Sequence, residues 1–378
     1  MKRTGLMIAL IGAFFTVQAA QADWTPAKRI TWTAGSSTDM DILSDSSGNL
    51  HLVWSDSTPG NLEIYYKRST NGGANWSANQ RLTWTSGESR LPAIATDGSG
   101  GLHVAWYDST SGNAEIYYRS SPDGGSNWTT VKRLSWTPGS SYWLAVAADI
   151  SGYIHVFWAD PTPGNTEIYH RRSTDGGSTW TASKRLTWNA GLSTGPKCAI
   201  DIWGGLNVVW YDMTTGSAEI YYKKSLDDGL TWTAVDRLTW SSDESWFPDI
   251  AGDSTGNLHL VWEDLTPGNW EIYYKKSTNS GSTWSMNRRL TWTSGTSWWP
   301  AVATGPTGSL HLVWQDDTPG GTDIYYMASP DNGASWTSPQ RLAWAGSAGY
   351  PAIAVDPSGY VHVVYNIGNT DIYYKKGT

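Results

Sequence analysis

Short apolar runs alternate with turn-forming clusters of Gly, Pro, Asp and Asn along almost the whole chain. In residues 89–136 this pattern predicts four strands, at 91–96, 102–106, 115–119 and 131–136. No window shows the 3.6-residue period of an amphipathic helix. The runs are apolar on both faces, as expected for sheets that pack between neighbouring sheets. The unit is therefore all-β and has four short strands.

The same unit recurs every 52 residues, and two series of tryptophans follow this spacing. They are Trp76, Trp128, Trp180, Trp232, Trp284 and Trp336, and Trp32, Trp84, Trp136, Trp188, Trp240, Trp292 and Trp344. A repeated four-stranded unit of this length is typical of a β-propeller blade. The second strand occurs seven times, so we predict an all-β, seven-bladed β-propeller with four-stranded blades.

The position of one strand predicts how the ring closes. The first fourth-strand copy, at residues 29–32, precedes every other element, whereas the last unit, residues 351–376, has no fourth strand. We expect the N-terminal strand to join the last blade, because this closure leaves no open sheet edge. A linear β-solenoid is the alternative, but it would not leave the missing strand at the opposite terminus. Residues 23–378 are thus predicted to form one domain.

The N-terminal segment has the pattern of a secretory signal peptide. Lys2 and Arg3 precede a mostly apolar run at residues 6–17, and Ala20-Gln21-Ala22 is a small-residue cleavage site. The run is too short for a membrane anchor. We predict that residues 1–22 are removed and that the product is secreted, periplasmic or held at the cell surface.

Composition narrows the range of partners. The 26 basic and 34 acidic residues give a formal net charge of −8, which argues against nucleic acid and against insertion into or binding to anionic membranes. Cys198 is the only cysteine, so an intrachain disulfide is excluded. We recognise no zinc, P-loop, nucleophile-elbow or EF-hand motif and expect no cofactor or metal site. Whether a structural calcium ion binds in the channel is left open by the sequence.

The turn between the third and fourth strands has the form S-x-[DN]-x-G-x-x-W in six units. Its Asx residues are Asn71, Asp123, Asp175, Asp227, Asn279 and Asp331. An Asx side chain can bond backbone N–H groups two residues on, and Gly accepts the positive φ of the turn. This motif resembles the Asp-box of the sialidase superfamily, also called the bacterial neuraminidase (BNR) repeat. The resemblance implies that the box stabilises the fold on the face opposite the active site.

The resemblance also implies a catalytic set that is not recognisable in this chain. Sialidases use three arginines to clamp a carboxylate, a tyrosine–glutamate nucleophile and an aspartate acid/base. Here one arginine recurs in each blade and would point outward in seven directions: Arg29, Arg81, Arg133, Arg185, Arg237, Arg289 and Arg341. Only Arg90 departs from the repeat near the axis. We therefore predict a protein without catalytic activity.

A unique site is expected where the repeats differ, at the pair of residues before each first strand. This pair reads Thr38-Asp39, Arg90-Leu91, Tyr142-Trp143, Thr194-Gly195, Trp246-Phe247, Trp298-Trp299 and Gly349-Tyr350. Clustered aromatic residues with a cation are typical of a recognition site. The predicted ligand-binding residues at the channel mouth are Arg90, Tyr142, Trp143, Trp246, Trp298 and Trp299. The alternative is that these rings pack on each other and cap the channel.

A second candidate surface is the loop between the second and third strands. It repeats the carboxylates Asp56, Asp108, Asp160, Asp212, Asp264 and Asp316, and Glu63, Glu115, Glu167, Glu219, Glu271, Asp323 and Asp371. They either form the turns and bond the neighbouring backbone or an arginine, or they form equivalent sugar pockets, one per blade or blade interface.

The function predicted from the sequence is that of a secreted, non-catalytic propeller. It binds a glycan or another extracellular ligand, such as a protein, through the channel-mouth face. One alternative is an exo-acting glycoside hydrolase of sialidase type that uses Arg90, Tyr142, Asp39 and Glu244. The other is a surface scaffold for a protein partner.

Overall fold

The predicted strands form seven four-stranded antiparallel sheets, six of them each from one continuous segment and the seventh from both ends of the chain. The computed structural model describes residues 22–162, 164–318 and 320–378, so the predicted signal segment lies, except for Ala22, outside the described residues. The described part contains 28 strands and no α-helix, which confirms the all-β, seven-bladed β-propeller. No helix in these ranges has the length and apolar character needed to cross a membrane.

Each blade contains four strands in order from the channel outward. The innermost strands are β2 Ser37–Ser44, β6 Ser89–Thr96, β10 Tyr142–Ala148, β14 Ser193–Ile200, β18 Ser245–Gly252, β22 Ser297–Thr304 and β26 Ala348–Val355. The second strands are β3 Leu50–Asp56, β7 Leu102–Asp108, β11 Ile154–Asp160, β15 Leu206–Asp212, β19 Leu258–Asp264, β23 Leu310–Asp316 and β27 Val361–Ile367. The third strands are β4 Glu63–Ser69, β8 Glu115–Ser121, β12 Glu167–Ser173, β16 Glu219–Ser225, β20 Glu271–Ser277, β24 Asp323–Ser329 and β28 Asp371–Gly377. The outermost strands are β1 Lys28–Arg29, β5 Gln80–Arg81, β9 Lys132–Arg133, β13 Lys184–Arg185, β17 Asp236–Arg237, β21 Arg288–Arg289 and β25 Gln340–Arg341.

The hydrophobic core lies between adjacent blades. Every residue of β3 is buried, because apolar side chains on its two faces contact two different sheets. Val53 and Ile64 of the first blade, for example, pack with Leu102 and Val104 of the second. Seven such clusters surround the channel within the described residues, which explains the two-faced apolar pattern of the strands.

The outermost strands are shorter than predicted. The expected strand at residues 131–136 has only the two paired residues of β9. Beyond these two residues, the Ser135 hydroxyl, instead of a backbone carbonyl, accepts the N–H of Ile116 at 2.8 Å. The other repeats carry a Thr or Ala at this position. A hydroxyl that replaces a ladder carbonyl is invisible to hydrophobic periodicity.

The N-terminal strand closes the ring as predicted. β1 pairs with β28 through Lys28 opposite Tyr374 and Arg29 opposite Tyr373, in a sheet of order β1-β28-β27-β26. Arg29 also forms an ion pair with Asp371 at 2.5 Å. The closed order excludes the alternative of a linear solenoid.

The Asp-box turns join each blade to the preceding one. The Asp123 Oδ1 atom accepts the backbone N–H of Asn127 at 2.7 Å, four residues on instead of the expected two. The box tryptophan Trp128 packs edge-to-face on Tyr66 of the preceding blade at 5.0 Å between ring centroids. Trp24 makes the same contact with Tyr326 at 4.8 Å and so completes this set at the ring closure. The boxes therefore stabilise blade contacts as well as turns.

Two adjacent glycines of the second Asp-box allow a matched test of this contact. Both have positive φ, but a Cβ at Gly125 would overlap the Tyr66 hydroxyl, whereas a Cβ at Gly124 would meet nothing within 4 Å. We expect Gly124→Ala to lower the free energy of unfolding by about 1 kcal/mol through backbone strain alone. Gly125→Ala should lower it by roughly 3 kcal/mol, because overpacking adds to the strain. Urea denaturation measures both values, and equal losses would contradict this account of the Asp-box.

Candidate functional site

A β-bulge in each innermost strand directs one residue toward the mouth of the central channel. The strand register shifts at this point in all seven blades. The bulge residues all have positive φ, between 44° and 63°, and are Asp39, Leu91, Trp143, Gly195, Phe247, Trp299 and Tyr350. A positive φ costs a bulky side chain on the order of 1–3 kcal/mol. Such strain is concentrated at functional sites, and here it falls on the positions where the repeats diverge.

The bulge residues surround a cavity of about 550 Å³ on the propeller axis. Of the residues predicted from the sequence, Asp39, Arg90, Trp143 and Trp299 line this cavity. The others, Tyr142, Trp246, Trp298 and Glu244, are absent from its lining. The structure thus brings together only part of the predicted set, because in the three pairs that begin with Tyr142, Trp246 and Trp298 only the second residue lines the cavity.

Aromatic rings from several blades converge at the mouth. Phe247 stacks on Trp299 with ring centroids 4.5 Å apart, and Trp143 lies 5.7 Å from Phe247. Tyr350 meets Trp299 edge-to-face at 5.1 Å. Trp143, Phe247, Trp299 and Tyr350 form what we call the mouth cluster. These four rings pack on one another, yet all four remain partly exposed.

The mouth cluster continues outward between blades four and five. Trp246 stacks on Tyr211 at 5.0 Å and meets Trp270 at 6.4 Å. Tyr211 in turn lies 5.5 Å from Phe247. Gly195 makes this arrangement possible, because a Cβ there would overlap the Tyr211 ring. A continuous aromatic surface thus runs from the axis across blade five.

Charged residues occupy the opposite side of the mouth. The Arg90 Nε atom lies 3.4 Å from Asp39 Oδ2, and its NH1 atom lies 3.9 Å from the Glu88 carboxylate. Burial opposes the charge of Arg90, but the nearby Asp39 carboxylate raises the pKa of the guanidinium overall. Among the described residues, Arg90 is the only arginine that lines the cavity. The mouth therefore lacks a three-arginine clamp.

The seven repeated arginines lie on the outer strands, as the sequence predicts. Each forms an ion pair with the third-strand carboxylate of its own blade, for example Arg81 with Glu63 at 2.8 Å. Glu63 is fully buried and also accepts the backbone N–H of Thr85 at 2.8 Å. Asp56 is likewise buried and accepts the Ser37 hydroxyl and the Thr58 N–H. The repeated carboxylates are thus used in hydrogen bonds and ion pairs within the fold.

Three further charged residues line the channel below the mouth. Asp41 and Asp249 each accept a backbone N–H of the next blade, from Ile94 at 3.0 Å and from Val302 at 2.9 Å. Burial raises the pKa of both carboxyl groups, and the charge of Lys197 partly offsets this effect. The described residues contain no group of three or more His, Cys, Asp or Glu side chains that could hold a metal ion.

Glu263 is an isolated carboxyl group in the crevice between blades five and six. It is 5% exposed, and its Oε2 atom accepts the Trp299 N–H at 2.9 Å. Burial raises the pKa of Glu263 to about 7. It pairs across the strands with Trp246. Gln315 makes the equivalent contact one blade later, to the Tyr350 N–H at 3.2 Å. A carboxyl group with such a pKa can donate or accept a proton near neutral pH.

Sequence reasoning missed Glu263, Tyr211 and Trp270, although a signal was present. Tyr211 and Glu263 occupy the same repeat position, directly before the repeated Asp at the end of the second strand. In the seven repeats this position reads Ser55, Tyr107, Ala159, Tyr211, Glu263, Gln315 and Asn366. This position diverges as strongly as the predicted pairs and lies directly opposite them across the strands. It therefore belongs to the same variable surface.

Comparisons with known proteins agree with the fold. The model of a BNR repeat-containing family matches residues 20–191. Hadza microbial sialidase Hz136 is 17% identical, with 88% of this chain and 74% of that chain covered and a TM-score of 0.55. A PL25 ulvan lyase bound to -[GlcA(1-4)Rha3S]- is 11% identical over 92% of this chain and 95% of that chain, with a TM-score of 0.64. The GH93 α-L-arabinofuranosidase of Fusarium graminearum is 16% identical over 78% and 93%, with a TM-score of 0.55. No curated protein sequence matches the chain.

These comparisons confirm the resemblance to Asp-box β-propellers of the sialidase superfamily that the sequence predicts. At these identities, the structural matches establish the fold alone.

Proposed function

We propose that the protein binds glycans at the channel mouth without cleaving them. The observation that carries this proposal is the partly exposed mouth cluster beside the Asp39–Arg90 pair, around a cavity of about 550 Å³. Aromatic faces stack on the apolar face of a pyranose, and the charged pair offers a donor and an acceptor for hydroxyl groups. Proteins of the same fold whose names describe glycan-directed enzymes support a glycan as the ligand.

The charges at the mouth favour a neutral glycan. Asp39, Asp41 and Asp249 line the cavity, against the two cations Arg90 and Lys197. Arg90 is already paired with Asp39, so little positive charge is left for a sialic acid carboxylate. We expect neutral oligosaccharides to bind more tightly than their sialylated counterparts. Export of the protein to a compartment that contains such glycans stays a prediction, since the signal segment lies outside the described residues.

Binding to a glycan array, followed by titration calorimetry with the best neutral oligosaccharide, tests the proposal. We expect one mouth site per chain, and a loss of at least about tenfold in affinity for Tyr350→Ala and for Arg90→Ala, or about 1.4 kcal/mol each. Trp203→Ala, which changes an exposed tryptophan that does not line the mouth cavity, is the matched control and should leave this site unchanged.

Other outcomes would favour the alternatives. Release of reducing sugar that Glu263→Gln abolishes would favour a hydrolase, because the raised pKa of Glu263 suits an acid/base catalyst. Tighter binding of sialosides that depends on Arg90 would favour a sialidase-type site. Absence of binding to every glycan, together with binding of an extracellular protein that Tyr350→Ala weakens, would favour the scaffold.

A further inference from the structure

Seven tryptophans protrude from the outer rim of the propeller. They occupy one repeat position, shortly after the outermost strand of each blade, and are between 63% and 73% exposed. They are Trp32, Trp84, Trp136, Trp188, Trp240, Trp292 and Trp344. The described core does not need these rings, since most of each ring contacts solvent. An exposed aromatic ring of this size is a feature that packing does not explain.

Each ring is held in place by the arginine of its own outer strand. The Arg81 guanidinium lies 5.6 Å from the Trp84 ring centroid, and the other six pairs lie between 4.3 and 5.7 Å apart. Arg81 is itself fixed by the buried Glu63 and by donation to the Thr83 carbonyl. A ring that is fixed in advance loses little conformational entropy when a ligand stacks on it.

Two of the rings, Trp84 and Trp292, each form one wall of a groove between two blades. Beside Trp84, a groove of about 380 Å³ is lined by Trp106, Tyr117, Thr110 and Arg119 of the next blade. Beside Trp292, a groove of about 500 Å³ is lined by residues at the same repeat positions: Trp314, Tyr325, Thr318 and Met327. The same groove, with an aromatic wall and polar groups at its edge, thus occurs at two blade interfaces, and from the repeat we expect it at the other five.

Comparison of the seven repeats separates the tryptophan from its exposed neighbours. Two residues before the repeated arginine, another exposed position reads Ala27, Asn79, Val131, Ser183, Val235, Asn287 and Pro339. That position holds five different residue types among the seven copies, whereas the rim position is Trp in all seven. If the rim tryptophans were inherited by duplication alone and had no use, they would be expected to vary among the copies in the same way. Retention of the ring in every copy indicates a use for it.

We propose that these grooves are seven equivalent carbohydrate sites, each of which takes one pyranose unit. The Trp face would stack on the C–H face of the sugar, and the adjacent hydroxyl and cationic side chains would bond its hydroxyl groups. The rings are separated from one another, one per groove, so they fit the repeated units of a glycan surface better than one continuous protein interface. Seven weak sites together give avidity on such a surface.

The grooves differ in one respect that bears on ligand charge. Six of them have a cation from the next blade at the floor, such as Arg119, which donates to the Leu82 carbonyl at 2.6 Å. In the groove beside Trp292 this residue is Met327. A neutral sugar should occupy all seven grooves, whereas a sugar acid should bind more weakly beside Trp292. This inference does not depend on the channel-mouth site.

Native mass spectrometry with the methyl glycosides of glucose, galactose, mannose, fucose and N-acetylglucosamine tests the proposal. We expect up to seven copies of at least one glycoside at the rim of each chain, and an eighth if the mouth site takes the same glycoside. Each rim substitution, first Trp84→Ala and then Trp84→Ala with Trp188→Ala, should lower the maximum by one without changing the affinity of the remaining sites more than twofold. Trp203→Ala is the matched control, because Trp203 is 63% exposed but lies on a turn away from the rim.

Avidity gives a second readout that a structural role of the rings would not affect. On a surface coated with the best glycoside, the double variant should dissociate at least tenfold faster than the parent and the Trp203→Ala control. In a Tyr350→Ala background, Trp84→Ala should still remove one copy, and the double rim variant should still dissociate at least tenfold faster than Tyr350→Ala alone. Failure of every glycoside to bind, a count of one, or an unchanged count after Trp84→Ala would overturn the proposal.

Discussion

A chain that begins at Thr33 is expected to lose its folded structure. The deletion removes Ile30, which is 3% exposed and packs in a core cluster with Trp54 and Ile372. It also removes the contact of Trp24 with Tyr326 and leaves the Asp371 carboxylate without Arg29. Loss of the two large side chains alone amounts to roughly 5 kcal/mol or more, and an unpaired buried carboxylate adds to it. This is comparable with the whole stability of a typical domain.

Circular dichroism and solubility measure the effect of this deletion. We expect the truncated chain to aggregate or to melt more than about 10 °C below the chain that begins at Asp23. The exposed edge of β28 would then be free to pair with other chains. A peptide of residues 23–33 added in trans should restore part of the lost melting temperature, and the same peptide with Ile30→Asp should not. Melting of the truncated chain within a few degrees of the control would show that the closing strand is dispensable.

The closed ring is the part of the fold that periodicity determines best. A strict repeat of 52 residues and one displaced strand sufficed to predict both the blade number and the closure. The 52-residue spacing also includes Trp24, which lies 52 residues before Trp76. Trp24 packs as the other Asp-box tryptophans do. It was missed because the rest of the box motif is absent there. The spacing was therefore a better guide than the motif.

The candidate site was predictable only in outline. Divergent repeat positions identified the channel mouth, but not which member of each pair reaches the axis. Trp298 and Trp299 are chemically identical neighbours, yet only Trp299 lines the cavity, because the bulge places it at a φ of 55°. A bulge is a backbone feature that side-chain periodicity does not reveal. Residues that act across a blade boundary, such as Glu263, need the ring geometry as well.

Strain, burial and divergence coincide in the same few residues. Trp299 has a positive φ, donates its N–H to the buried Glu263 and stacks on Phe247. The propeller does not require these features, because the other blades have the same fold with different residues at the equivalent positions. Features that cost stability and are confined to one face are expected at a site that binds a ligand. The rim, by contrast, is the same in every blade, so any site there must be multivalent.

Acidification is expected to destabilise the protein through its buried histidines. Substitution of one such histidine and substitution of Glu263 should change the pH dependence of the free energy of unfolding in opposite directions. His311 is buried, with Nδ1 2.8 Å from the Tyr326 hydroxyl and Nε2 2.9 Å from the Ser309 hydroxyl. Burial lowers the pKa of His311 to about 4, and that of His155 to about 3. It also lowers the pKa of His51, His259 and His362.

The sign follows from where the protons bind. An unfolded histidine has a pKa of about 6.5, so between that value and the folded-state pKa the unfolded chain binds more protons. The free energy of unfolding therefore falls as the pH drops below about 6.5. At pH 5, His311 and His155 should each account for a loss of about 2 kcal/mol. Glu263 acts in the opposite sense. Its folded-state pKa is raised to about 7, so its protonation stabilises the fold by about 2 kcal/mol as the pH falls from 7.5 to 5.

Urea denaturation at pH 7.5 and at pH 5.0 tests these assignments. His311→Asn should shrink the difference between the two pH values by about 2 kcal/mol. The fourth blade shows that the fold accepts an asparagine at this position. There, Asn207 accepts a hydrogen bond from the Tyr222 hydroxyl at 2.6 Å and donates one to the Gly205 carbonyl at 2.8 Å. Glu263→Gln should enlarge the difference by a similar amount, since it removes the opposing group. An unchanged difference in the His311→Asn protein would mean that this histidine is charged in the folded state. An unchanged difference in the Glu263→Gln protein would mean that the Glu263 carboxyl is ionised at neutral pH and is no candidate for a proton donor.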